Sequence, residues 1–146
     1  MGIKYKQITK NFNEAEFRCK GSNCCGGYVL IDYELVSELQ KLRDYIAQKT
    51  GKEHRFIITR GYSCPKHNKE IGGASKSAHL EGRAIDFYVQ GLTIAQVWLF
   101  IEKMGVDNFI QMGSYPEESP PIIHIGNANR PYQRWVKRGG KYYYLF

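Results

Sequence analysis

Apolar residues recur at helical spacing in two segments of the chain. In residues 32–49 they repeat every three or four positions, and the repeating residues are Leu35, Val36, Leu39, Leu42 and Ile46. Asp32 is a suitable N-cap for this helix and Gly51 is a suitable stop. A second amphipathic helix is predicted to begin after Thr93 and to end at Gly105. Its apolar residues are Ile94, Val97, Trp98 and Ile101.

Short runs of β-branched and aromatic residues predict strands between and after these helices. The runs are RFIITR (55–60), RAIDFYV (83–89), NFIQM (108–112) and PIIHIG (121–126). The tail, residues 132–146, predicts a hairpin that turns at Gly139 and Gly140. Because helices and strands do not alternate regularly, we expect an α+β fold with a small antiparallel sheet and flanking helices.

Two shorter helical stretches complete the predicted elements. NFNEAEF indicates a short helix capped by Asn11 or Asn13, and Pro65 begins about one further turn. A loop rich in cysteine and glycine lies between the first short helix and the first amphipathic helix. The chain has no internal repeat and no low-complexity linker, so residues 1–146 are predicted to form a single domain.

Side chains alternate between the two faces of a strand, which separates polar from apolar residues in two of the predicted strands. In RAIDFYV the apolar face is Ile85, Phe87 and Val89. Asp86 lies on the opposite face, between Ala84 and Tyr88, which suits the floor of a cleft. In PIIHIG the same alternation points His124 away from the core.

His79 lies in a loop seven positions before Asp86 and adds a third candidate group. Two histidines and one carboxylate form a common zinc set that leaves a fourth position for water, and zinc activates that water for amide hydrolysis. The alternative is a surface histidine near a turn or cap aspartate. Spacing alone leaves both interpretations open.

The four cysteines, Cys19, Cys24, Cys25 and Cys64, have a spacing that matches no standard zinc ribbon. One or two disulfides would form outside a reducing cytosol. Buried free thiols are an equal alternative, and a four-thiolate metal site is the least favoured of the three.

The net charge of +7 favours anionic partners without choosing among them. Its basic residues are scattered, which is more typical of a solvated surface than of a nucleic-acid site. No apolar run is long enough to cross a bilayer, and residues 1–17 contain no apolar core of a secretory signal. We therefore expect a protein made in the cytoplasm that neither inserts into membranes nor binds nucleic acid.

Several stretches together resemble the peptidase M15 family. SAHLEGRAID resembles the S-x-H-x-x-G-x-A-x-D signature of its zinc D-Ala-D-Ala carboxypeptidases and related phage endolysins. NFNEAEFRC is similar to the amino-terminal segment of the M15A subgroup, and ITRGYSCPKHNKEIGGA resembles its I-T-S-G-Y-R-x-P-x-H-N-x-x-x-G-G-A stretch. YPEESPPIIHIG and the later RW resemble its ending. The resemblance implies the fold of the D-Ala-D-Ala peptidases and hedgehog proteins.

The resemblance also implies roles for individual residues. The implied Zn²⁺ ligands are His79, Asp86 and His124. The implied substrate contacts are Tyr62, Ser63, Ser77 and Tyr115. His67 is a competing ligand candidate, although the matching histidine belongs to the scaffold in the family. Nothing in the sequence around His54 indicates a functional role for it.

Three positions depart from the family pattern. Pro121 stands three residues before His124, where members with a recognised general base have a carboxylate. Gly126 stands where an acidic residue is common. The family's S-G-Y-R reads RGYS, so Ser63 replaces the expected substrate-binding arginine and Arg60 takes the place of the serine. The remaining general-base candidates are Glu118 and Glu117, ahead of Glu81, and Arg60 is the third candidate catalytic residue.

These features favour a monomeric zinc peptidase that cuts peptidoglycan stem peptides. Its activity would be that of a D,D-carboxypeptidase or an L-Ala-D-Glu endopeptidase, delivered to the cell wall by phage-type or prophage-type release or as part of a virion. A catalytically weak zinc-binding domain, used for wall binding or virion structure, is the alternative. A basic nucleic-acid-binding protein is a third hypothesis that rests on charge and aromatic content alone.

Overall fold

A computed structural model describes residues 2–105, 107 and 109–145. The α-helices are α1 (Tyr33–Thr50), α2 (Pro65–Glu70) and α3 (Ile94–Met104). Two short 3-10 helices span Glu14–Phe17 and Ala78–Glu81. The strands are β1 (Phe56–Arg60), β2 (Ala84–Val89), β3 (Gln111–Tyr115), β4 (Ile122–Gly126), β5 (Gln133–Arg138) and β6 (Lys141–Tyr144).

The six strands form one sheet in the order β1-β2-β4-β3-β5-β6. The α+β class is confirmed, and every neighbouring pair is antiparallel except β3 and β5, which run parallel. The parallel pair arises because β4 turns back against β3, and the chain then crosses to the other edge of β3 before β5 begins. The predicted hairpin at Gly139 and Gly140 joins β5 to β6.

The long helices end where their capping residues stand. Asp32 accepts a hydrogen bond from the Glu34 backbone N–H, and Gly51 ends α1 in the left-handed conformation. Thr93 forms a capping box with Gln96 at the start of α3. Both helices therefore begin and end within one residue of the prediction. The cap of the first 3-10 helix is Asn13, one of the two residues predicted for it.

The hydrophobic core lies between one face of the sheet and the helices α1 and α3. It contains Leu35, Leu39, Ile46, Val97 and Ile101 from the helices and Phe56, Ile85, Phe87, Met112, Ile123 and Ile125 from the strands. The predicted apolar faces of β2 and β4 are thus the core faces. The opposite face, on which Asp86, His124 and Tyr115 lie, is called the site face below.

One strand lies further along the chain than predicted. The predicted segment is 108–112, whose first residue lies outside the described residues, whereas β3 spans Gln111–Tyr115. Phe109 is fully buried but precedes the strand. Pairing with β4 extends β3 through Gly113 and Ser114, two residues with low intrinsic strand preference. In the described part of the chain, no helix has the length and hydropathy required to cross a membrane.

Candidate metal centre

Asp86 and His124 meet because β2 and β4 are antiparallel neighbours. The two residues are Cα partners in the ladder, so their side chains leave the sheet on the same face. His124 Nδ1 lies 2.7 Å from Asp86 Oδ1. Strand alternation predicted the face of each residue, and the register of the two strands places the residues opposite one another.

His79 reaches the same carboxylate from a loop. It lies in the 3-10 helix Ala78–Glu81, whose cap Ser77 accepts a hydrogen bond from the His79 backbone N–H. Gly82 ends this turn with a φ of 68°, a conformation that glycine adopts without steric cost. The His79 side chain is almost completely buried, and its Nε2 lies 3.3 Å from Asp86 Oδ1.

A backbone carbonyl determines the tautomer of His79. Its Nδ1 lies 2.7 Å from the Gly61 carbonyl oxygen, which can only accept a hydrogen bond. The proton therefore resides on Nδ1, and the Nε2 lone pair faces Asp86. Two acceptors at 3.3 Å require a proton or a cation between them. A carbonyl that orients a histidine in this way is typical of the outer shell of metal sites.

The electrostatics of the site favour a neutral His79 beside an ionised Asp86. Burial lowers the pKa of His79, and the neighbouring Asp86 opposes this effect only in part. Burial would raise the pKa of Asp86, but electrostatic interactions with His79 and His124 and the hydrogen bond from His124 outweigh it, so that pKa lies well below its usual range. Neutral imidazole and carboxylate are the forms that bind metal ions.

Trp135 forms one wall of the site. Its ring centroid lies 5.5 Å from that of His124, and its Nε1 donates a hydrogen bond to the Tyr115 hydroxyl over 3.2 Å. The ring lies across Gly113, where a Cβ would come within 2.7 Å of Trp135 Cζ2. Neither Trp135 nor Gly113 was predicted from the sequence to belong to the site. The RW pair in the family-like ending was the signal that could have identified the tryptophan.

A β-bulge brings Arg60 to the site face. Strict alternation along β1 would place it with Phe56 and Ile58 in the core. The register shifts between Ile58 and Arg60, so Arg60 pairs with Asp86 instead. Its guanidinium donates to Ser63 Oγ at 2.9 Å and to Asn68 Oδ1 at 2.7 Å. The arginine and serine exchanged in RGYS are therefore hydrogen-bonded partners.

Arg60 lines a small hollow beside the three converging side chains. The hollow has a volume of about 100 Å³, and its wall includes Arg18, Lys20, Tyr62 and Ser63. Burial is the main cause that lowers the pKa of Lys20 and of Arg60, and Asp86 opposes it in both. We call this feature the cationic hollow. It places two of the predicted substrate contacts, Tyr62 and Ser63, at one location.

The predicted general bases lie on the other side of Tyr115. Glu117, Glu118 and Tyr115 line a second hollow together with Lys137 and Gly140. Glu117 Oε1 accepts a hydrogen bond from the Gly139 backbone N–H at 2.6 Å. Both glutamates are exposed, and within the described residues neither forms a hydrogen bond or ion pair with His79, Asp86 or His124.

Two other candidates are not among the converging side chains. Glu81 Oε2 lies 3.9 Å from the Arg130 guanidinium. His67 lies in α2 and lines the cationic hollow, and its ring would be 2.7 Å from a Cβ at Gly21. Within the described part of the chain, His67 contributes no atom to the group formed by the two histidines and Asp86.

A protein-family model described as Peptidase M15 matches residues 10–125. The chain belongs to the peptidase M15 family. Comparison with curated protein sequences gave no match. The matched range contains all three converging side chains, so this M15 domain is of the metallopeptidase class and has candidate metal-binding residues at its site face.

The donor atoms of this M15 domain fit a metal ion of the zinc type. His79, Asp86 and His124 each offer one ligand atom, and these atoms lie within 4.8 Å of one another. Two imidazole nitrogens and one carboxylate oxygen are donors that zinc accepts, and three protein ligands leave a position open. A second group of side chains that could hold a metal ion, formed by cysteines, lies outside this site.

Proposed function

We propose that this M15 domain is a zinc-dependent peptidase that hydrolyses peptide bonds in the stem peptides of peptidoglycan. The convergence of His79 Nε2 and His124 Nδ1 on Asp86 Oδ1 carries the proposal. The family match supports the metallopeptidase class, and the net charge of +7 suits a negatively charged cell wall. We further propose that the domain acts as a monomer at the wall, without a nucleic-acid or membrane partner.

The chain's own residues prepare this site before any substrate arrives. Gly61 holds the His79 ring through Nδ1, and Trp135 packs beside the His124 ring. Asp86 lies between the two histidines in the middle of the sheet, where its backbone cannot shift independently. When bound, the ion would polarise a substrate carbonyl as a Lewis acid and increase the acidity of water.

The cationic hollow is suited to a carboxylate group of the substrate. Arg18, Lys20 and Arg60 supply positive charge there, and Gly61 joins the hollow directly to His79. Stem peptides carry carboxylates near the bonds that D,D-carboxypeptidases and L-Ala-D-Glu endopeptidases cut. Arg60 would bind and orient such a group, the task that the arginine displaced from position 63 performs in the family.

We assign proton transfer to Glu118. Glu117 already accepts a hydrogen bond from the Gly139 N–H, whereas the Glu118 carboxylate has no hydrogen-bond partner among the described residues. Tyr115 connects the hollow that contains Glu118 to the Trp135 wall of the site. A free carboxylate at the rim can take a proton from water and return it to the leaving amine.

The test combines metal content with hydrolysis of purified peptidoglycan. Asp86→Asn should lose the zinc of this site and all activity, because it removes the charged central donor. Asp44→Asn, in α1 and away from the site, is the matched control and should keep both. Activity that survives a chelator, or an Asp86→Asn variant that still hydrolyses the wall, would refute the proposal.

A second pair of variants tests the proton-transfer assignment. Glu118→Gln should lower kcat by about 10²-fold or more while zinc content stays unchanged. Glu117→Gln should have a much smaller effect. A large loss in Glu117→Gln alone would reverse the assignment.

One observation favours a second candidate function. Pro121 replaces the carboxylate expected near His124, and both Glu117 and Glu118 are exposed. A domain with this site would bind zinc and wall peptides and hydrolyse them slowly or not at all. Retention on purified peptidoglycan with zinc bound, but without release of amino groups, would identify this function.

A further inference from the structure

Four cysteines from separate parts of the sequence meet at one point. Cys19 follows the first 3-10 helix, Cys24 and Cys25 lie in the next loop, and Cys64 is the N-cap of α2. Their four Sγ atoms lie within 4.8 Å of one another. We call this group the thiol cluster. It shares no residue with the centre at Asp86.

The sulfur separations match metal coordination rather than disulfide bonding. The Sγ atoms of Cys19 and Cys24 are 3.8 Å apart, and those of Cys24 and Cys25 are 3.9 Å apart. A disulfide requires about 2.05 Å. Four sulfurs at about 2.3 Å from a tetrahedral zinc ion would be separated by about 3.8 Å along each edge.

Backbone geometry around the cluster supports bound thiolates. The N–H of Cys64 donates to Cys19 Sγ, and the N–H of His67 donates to Cys64 Sγ, each over 3.4 Å. Such donors stabilise negative sulfur and orient it towards a metal. Gly21 permits the close approach, because a Cβ there would lie 2.7 Å from Cys24 Sγ.

The surroundings of the cluster are cationic. Lys66 Nζ donates to the Asn23 carbonyl oxygen at 2.6 Å, directly beside the paired cysteines. Lys20 follows Cys19 in the sequence, and its ammonium donates to the Glu16 and Ile58 carbonyl oxygens. A zinc ion with four thiolates has a net charge of −2, which these two lysines would partly balance.

We propose that Cys19, Cys24, Cys25 and Cys64 bind a structural zinc ion, separate from the centre formed by His79, Asp86 and His124. Binding forms four zinc–sulfur bonds and releases four thiol protons to solvent, with no change of oxidation state. All four positions are occupied by protein, so the ion has no open position for substrate.

This ion would tie the amino-terminal segment to the turn that orients His79. Cys64 directly follows Ser63, whose backbone N–H donates to the His79 carbonyl oxygen at 3.2 Å. Gly61, three residues before Cys64, accepts the His79 Nδ1 proton. The Tyr62 N–H donates to the Phe17 carbonyl oxygen in the same segment. The structural zinc is therefore expected to position residues 61–64.

The first experiment uses the unmodified protein, purified without chelator. We expect two zinc ions per chain. A mercurial thiol reagent should release one of them, and Asp86→Asn should contain one zinc that this reagent releases completely. A single zinc that resists the reagent and disappears in Asp86→Asn would overturn the inference and leave the proposed peptidase site intact.

The second experiment identifies the ligands by cobalt substitution. The Asp86→Asn protein loaded with Co²⁺ should show strong sulfur-to-cobalt charge-transfer absorption and the visible bands of a tetrahedral site. Cys25→Ser in the same background should weaken that absorption, whereas His67→Ala should preserve it. A disulfide found by mass analysis of the native protein, or absent charge-transfer bands, would refute the thiolate site.

Discussion

Gly113→Ala tests whether Trp135 lies across the sheet beside His124. Gly113 is the Cα partner of His124 on one side and of Trp135 on the other. A Cβ at this position points to the site face and would lie 2.7 Å from Trp135 Cζ2, with Cε2 and Nε1 closer still. Carbon atoms pack best at about 3.5–4.0 Å, so the ring must move by about 1 Å.

Two effects of Gly113→Ala should lower the free energy of unfolding. Overfilling a packed position typically costs about 1–3 kcal/mol. Displacing the ring also breaks the Trp135–Tyr115 hydrogen bond, which contributes about 1 kcal/mol. Replacing glycine by alanine stabilises the fold by about 0.4–1 kcal/mol, because it lowers the conformational entropy of the unfolded chain. The free energy of unfolding should therefore fall by about 1–3 kcal/mol, and affinity for the metal at Asp86 should fall about 10-fold or more.

The assay is urea denaturation combined with zinc titration. Gly126→Ala is the matched control, because Gly126 lies on the same face, where a Cβ would lie 3.1 Å from the Arg83 carbonyl oxygen and 3.2 Å from Gln111 Oε1. Its separation from His124 Nε2 would be 3.6 Å, an ordinary contact that does not displace the ring. Its cost should stay below about 1 kcal/mol. In a Trp98→Phe background, Trp135 is the only tryptophan, so its fluorescence reports the displacement directly.

The reasoning is wrong if Gly113→Ala and Gly126→Ala unfold with equal free energies and the Trp135 emission does not change. Equal metal affinities in the two variants would also contradict a role for Trp135 in holding His124.

Three further predictions concern other parts of the molecule. Arg60→Lys should reduce kcat/KM on stem peptides about 10- to 100-fold with zinc content unchanged, since lysine lacks the planar fork that binds two acceptors. Gly82→Ala should lower the free energy of unfolding by about 2–4 kcal/mol, because its φ is 68° and a Cβ would lie 2.6 Å from the Leu30 carbonyl carbon. The hydrogen bond from Tyr33 lowers the pKa of Glu14, so Tyr33→Phe should raise that pKa in an NMR titration. Because the folded-state pKa is depressed, this bond stabilises the fold above the ordinary carboxyl range and is lost on acidification, so both proteins should converge in stability at low pH. An unchanged Glu14 titration, a stable Gly82→Ala protein or a fully active Arg60→Lys enzyme would contradict the corresponding argument.

Local patterns predicted the elements because their causes are local. The caps of α1 and α3 depend on side chains within three residues of each helix start, and these were recognisable as Asp32 and Thr93. The face of Asp86 and of His124 follows from the two-residue period of a strand. Helix caps and strand alternation depend on neighbouring residues and not on how remote segments pack.

Features that depend on the pairing of strands could not be predicted from local sequence patterns. The bulge that turns Arg60 towards the site arises between β1 and β2, and no residue in RFIITR marks it. The parallel pairing of β3 with β5 depends on how the chain crosses the sheet. Strand preference also placed β3 too early, because pairing with β4 outweighs the weak propensities of Gly113 and Ser114.

Residue types and strand alternation were enough to predict which side chains could form a metal centre and which way two of them face. The orientation of His79 Nε2 towards Asp86 follows from the fold, because the Gly61 carbonyl that orients the ring is 18 residues away. The same holds for the thiol cluster, in which Cys64 is 45 residues from Cys19. From the cysteine spacing alone, a four-thiolate site was the least favoured interpretation. Sequence spacing does not show which remote segments come close together in the folded protein.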